Sequence, residues 1–164
     1  MSQAHQPRLN HAQLSGDLFK KLAEVNTAVA KGGQVDATIL HLVDIRASQL
    51  NGCAFCLDMH VKQAKLHGER ELRLYHVAAW QESPLFSDKE RAALAWTEAL
   101  TRLAPGGVSD AQYAQAREQF SEKELSDLTY QIMLINAWNR AGVAFQTQPG
   151  VFDKAFGLDK AGLV

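Results

Sequence analysis

Apolar residues recur at three- and four-residue intervals along nearly the whole chain, the period of helices with one buried face. From about His11 to Lys31 the series Leu14, Leu18, Phe19, Leu22, Val25 and Val29 predicts an amphipathic helix, which Lys31-Gly32-Gly33 stops. Residues 1 to about 8 read as an unstructured lead-in. Asp36 caps a second helix carrying Ile39, Leu40, Leu42, Val43, Ile45, Ala47 and Leu50, a face wide enough to be buried on more than one side. Asn51-Gly52 breaks it, and a third helix is predicted from Cys53 to about His67. A fourth covers Glu69 to about Gln81 and ends at Ser83-Pro84. Ser87, Ser109 and Ser121 then open three more, with Glu90 and Glu124 completing capping boxes. The last of these is long and apolar, running through Leu125, Leu128, Ile132, Ile135 and Trp138 to Phe145, and Gln148-Pro149-Gly150 closes it.

Period-two alternation of useful length is missing from the sequence, and so is a glycine-rich phosphate loop after a strand. The expected fold is therefore all-α, a compact packing of six to seven helices. It forms one domain over residues 9–149, with a tail over 150–164. Phe152 and Phe156 in that tail, with the three tryptophans, exceed what 164 residues readily bury, so these residues are expected to help bury a subunit interface, with the tail at it.

Composition narrows the partners. A net charge of −1 gives no argument for nucleic acid, and no apolar run nears the length that spans a bilayer. The polar start MSQAHQPRLN does not read as an export signal, so a cytoplasmic location is expected. In a reducing compartment a lone C-x-x-C reads as a catalytic or metal-binding pair.

Both cysteines lie in Asn51-Gly52-Cys53-Ala54-Phe55-Cys56-Leu57-Asp58-Met59-His60. On a helix, Cys53, Cys56 and His60 share an arc of roughly 60°, and the two thiols come within disulfide reach. At a helix start the unpaired N–H groups favour a thiolate. Nearness to the helix start favours Cys53 as the more acidic thiol, whereas one-turn spacing to His60 favours Cys56. His67, further along the same face, reads as a capping histidine out of reach of the thiols.

The stretches LVDIRASQLNGCAFCLDMHVKQA (42–64), AAWQESPLFSDKERAALAWTEALT (78–101) and INAWNR (135–140) resemble the AhpD-like alkylhydroperoxidase branch of the carboxymuconolactone decarboxylase superfamily. The resemblance implies a homo-trimer or homo-hexamer of helical subunits that reduces organic hydroperoxides through a dithiol/disulfide cycle without a bound cofactor. It also implies a dithiol reductant, a lipoylated or thioredoxin-like protein. Cys56 would be peroxidatic and Cys53 resolving, with His60 in the proton relay. The family pattern places Glu twelve residues before the first cysteine, and here that position is His41. An unperturbed histidine there titrates near 6.5, and Asp44, three residues on, could supply the carboxylate if it points inward. Two other functions compete: a Cys₂His₂ metal site of His41, Cys53, Cys56 and His60, and the decarboxylase chemistry of the superfamily's namesake, which does not need the dithiol.

Overall fold

The computed structural model describes residues 6–163; most of the lead-in lies outside the described residues. Nine α-helices and two 3₁₀ turns follow, with no strand among the described residues. They are α1 (His11–Leu14), α2 (Gly16–Gly32), α3 (Ala37–Asn51), α4 (Ala54–Leu66), α5 (Glu71–His76), α6 (Asp88–Thr101), α7 (Asp110–Gln119), α8 (Glu122–Phe145) and α9 (Asp153–Phe156). The 3₁₀ turns are Val77–Ala79 and Leu158–Ala161. Seven helices exceed one turn, as the all-α reading expects.

Helix α3 is the axis of the subunit. Its Val43 joins a core with Trp96, Phe120, Leu128 and Ile132, while Leu42 and Ile45 join a second with Trp80, Phe86 and Leu94. Ala47 reaches a third, small core with Cys53, Cys56 and Ile135. A helix apolar nearly all round has to be enclosed, and α4, α6 and α8 enclose it. Asp36 caps α3 as expected, accepting from the Thr38 N–H at 2.8 Å. Capping boxes are complete at Ser87, Ser109 and Ser121. Arg46 is paired with Glu98 at 2.7 Å, and Glu98 also accepts from the Trp80 indole.

Three expectations are corrected. The first helix is broken at Ser15, and none of its residues is fully buried: Leu14 and Leu18 face outward, while Phe19 packs edge-on against Trp138. A single subunit supplies no second layer over that face. The chain is anchored already at Arg8, whose N–H donates to the Phe145 carbonyl. The fourth helix is only six residues long, because its chain tightens to 3₁₀ at Val77 to bury Val77 and Trp80 against α3 and α6.

The tail folds back on its own subunit. Leu158 and Ala161 are buried, and the Gly150 N–H donates to Asp58 on α4. Lys62, itself buried, bridges Asp58 at 2.8 Å and Asp153 at 2.6 Å. Phe152 packs edge-on against Phe55, while Phe156 stays exposed. Trp80 and Trp96 are buried within the subunit, contrary to their expected place at an interface.

Candidate active site: a buried dithiol between α3, α4 and α8

Two residues separate α3 from α4. Gly52 takes the left-handed conformation (φ 65°), which reverses the chain at no steric cost, and Cys53 then occupies the N-cap of α4. An N-cap side chain accepts a hydrogen bond from the first-turn amides. Here that acceptor is sulfur: the Cys56 N–H points at Cys53 Sγ, 3.4 Å away. Cys56 lies in the first turn, and the two sulfurs are 2.8 Å apart as free thiols, buried and within reach of a disulfide.

The two thiols are electrostatically unequal. Cys53 is lowered to about 7 by the Cys56 thiol hydrogen bond, against its burial, with further help from the Cys56 backbone N–H and the Asn139 amide. Cys56 is pushed up by the same shared proton, by burial, by the charge on Cys53 and by Asp44. This asymmetry favours Cys53 as the more acidic thiol, the alternative that position at the helix start also favoured.

Asp44 does point inward. It is buried on α3, accepts both 2.8 and 3.0 Å hydrogen bonds from Gln131 of α8, and lies 3.4 Å from His60 Nδ1. Burial raises its pKa, with His60 and Gln131 opposing. His60 Nδ1 also meets Gln63 Oε1 at 2.8 Å. With acceptors on that nitrogen, neutral His60 carries its proton on Nδ1, and Nε2 is the basic atom.

His41 is placed differently. Its ring stands against that of His67, centroids 4.6 Å apart, and its Nε2 is buried without a partner. Burial, then repulsion from His67 and His60, lowers it to about 4, so the titration near 6.5 expected of an unperturbed histidine does not apply. His67 caps α4, its Nδ1 on the Gln63 carbonyl at 2.8 Å. Among the described residues no three His, Cys, Asp or Glu side chains converge into a metal cage, so the Cys₂His₂ set is not assembled.

Three residues of the site were not singled out from the sequence. Gly142 of α8 faces the dithiol so closely that a Cβ there would sit 2.8 Å from Cys53 Sγ. A glycine inside a long apolar helix, where it costs about 1 kcal/mol against alanine, was the available signal. Gln131 and Asn139 are polar residues on the buried side of that helix.

The family model of the carboxymuconolactone decarboxylase family matches residues 16–99. The uncharacterized protein YdfG of Bacillus subtilis (strain 168) is 41% identical over 137 residues, spanning 84% of this chain and 92% of its own. A solved Agrobacterium tumefaciens protein of unknown function, given as an AhpD antioxidant-defence protein, superposes with a TM-score of 0.85 at 38% identity, over 89% of this chain and 99% of that one. The debrominase Bmp8 shares the fold at 18% identity, with a TM-score of 0.76 over 91% and 79%. With its helical fold and paired cysteines, the chain belongs to the carboxymuconolactone decarboxylase family, as an AhpD-like member.

Proposed function

We propose that the protein reduces organic hydroperoxides through a Cys53–Cys56 dithiol/disulfide cycle. One observation carries this reading: two buried free thiols in sulfur–sulfur contact at 2.8 Å, one of them held near neutrality. With its pKa lowered toward neutrality, Cys53 is the thiol that supplies the thiolate. It attacks the terminal peroxide oxygen, the O–O bond breaks, and the alkoxide takes a proton to leave as alcohol. The Cys56 sulfur then attacks the Cys53 sulfenic acid, expelling water and forming the disulfide. Two thiols and the hydroperoxide thus become one disulfide, alcohol and water. An external dithiol, from a lipoylated or thioredoxin-like protein, reopens it by exchange.

Asp44, His60 and Gln131 form the proton relay in this reading, with Asp44 standing in for the family's glutamate three residues beyond His41. The resemblance gives the attack to Cys56; the charge distribution gives it to Cys53. Single variants decide. In Cys56→Ser, Cys53 is expected to trap as a sulfenic acid on treatment with cumene hydroperoxide, detected with a dimedone label. A label found only at Cys56 of the Cys53→Ser variant would reverse the roles. Labelling at neither cysteine would remove peroxide reduction.

A further inference from the structure

The floor of the dithiol site is a chain of buried amides whose orientations can be deduced one from the next. Asn136 accepts at Oδ1 from Arg140, which has only donors, and donates from Nδ2 to the Ile132 carbonyl, which only accepts. Its amide is therefore fixed. Its Oδ1 also accepts from Asn51 Nδ2 at 3.0 Å, which fixes Asn51 in turn. The second hydrogen of that Asn51 nitrogen goes to Asn139 Oδ1 at 2.9 Å. Reversing the Asn139 amide would bring its nitrogen within 3.3 Å of the Ala47 and Ile135 carbonyls but would set it 2.9 Å against the Asn51 nitrogen, itself a donor. Asn139 therefore keeps its nitrogen on the other side, where one hydrogen meets Ser48 Oγ at 3.0 Å. Ser48 is free to accept, because its own hydrogen goes to the Asp44 carbonyl.

The remaining hydrogen of Asn139 belongs to a side chain on the stripe of α8 that meets the dithiol. Ile135, Asn139 and Gly142 recur at four and three residues, one stripe of α8. Ile135 packs with both cysteines, and the Cβ position of Gly142 is 2.8 Å from Cys53 Sγ and 3.6 Å from Cys56 Sγ. Asn139 lies between them and is completely buried, so its donor has no water to satisfy it.

We propose that Asn139 is a positioning residue for the dithiol: a preset N–H donor that stabilises the thiolate, held donor-side inward by the Arg140–Asn136–Asn51 chain. The inference deepens the dithiol reading of this site and rests on it. The lowered Cys53 pKa, to which the Asn139 amide contributes, agrees. The other titratable group acting on the sulfurs is Asp44 from α3, which lies 3.4 Å from His60 Nδ1 of α4, while α8 brings Arg140 to Asn136.

The test is thiolate titration of the reduced protein, read as iodoacetamide alkylation rate against pH, in wild type, Asn139→Leu and Asn51→Ala. No peroxide is involved, so failure of peroxide reduction and failure of this proposal give separate results. A hydrogen bond to a charged group predicts that the midpoint rises by about one pH unit in Asn139→Leu. In Asn51→Ala, which only frees the amide to turn, a smaller rise is expected. Asn51→Ala decides alone if Asn139→Leu does not fold. An unmoved midpoint in a folded variant of either kind overturns the proposal.

Discussion

Two residues of the same type, three apart, do different work because one is an N-cap and the other is not. Cys53 collects the Cys56 N–H and shares a proton with the Cys56 thiol, while Cys56 is pushed up by Asp44. The rate of first-thiol alkylation in wild type is therefore expected to climb through pH 7, and a climb beginning only above pH 8.5 would contradict it. His41 yields a second prediction. Its folded pKa, about 4, lies below the unfolded 6.5, so between those values the unfolded chain binds the extra proton and stability falls as pH falls. His41→Leu should abolish about 1 kcal/mol of the stability lost between pH 7 and pH 5, allowing for partial exposure. Urea unfolding of both proteins at the two pH values checks it. Position and type of the thiols were legible in the sequence. The carboxylate was less so: twelve residues back gives His41, but α3 turns Asp44, not His41, onto His60 and Gln131. Only packing, not spacing, selects between two residues three apart.

The elements are arranged so that α8 closes the site and the tail braces α4. Gly142 is the point of closest approach. Gly142→Ala would bring a methyl into Cys53 Sγ, displacing it from its N-cap position. Disulfide formation should slow by roughly tenfold, as about 1.4 kcal/mol of lost geometry implies, with helix content unchanged by circular dichroism. Equal rates would show that the sulfur moves aside freely. The tail depends on Lys62, clasped between Asp58 and Asp153. Lys62→Ala leaves two carboxylates facing each other and should cost about 3 kcal/mol, with protease cleavage near residue 150 appearing early. Helix starts were readable because serine caps and acidic third positions are local chemistry. The break at Ser15, the short α5 and the docking of the tail were not, since each is decided by what lies across the fold.

For the whole molecule, the exposed apolar side chains matter most. Leu14 and Leu18 before and within α2, and Tyr130, Met133 and Val143 on α8, remain open to solvent on adjoining helices. Large apolar side chains left open on neighbouring helices point to an association site. We expect a second copy of the chain to cover it, giving a trimer or hexamer by light scattering at micromolar concentration; a monomer would contradict that. The described residues include no helix long and apolar enough to cross a membrane. The central claim concerns the two sulfurs alone, and intact-mass measurement tests it most directly. After one equivalent of cumene hydroperoxide the reduced protein should lose two hydrogens, about 2 Da, and both alkylatable thiols, and dihydrolipoamide should restore them. A protein that keeps two free thiols and an unchanged mass would contradict the account.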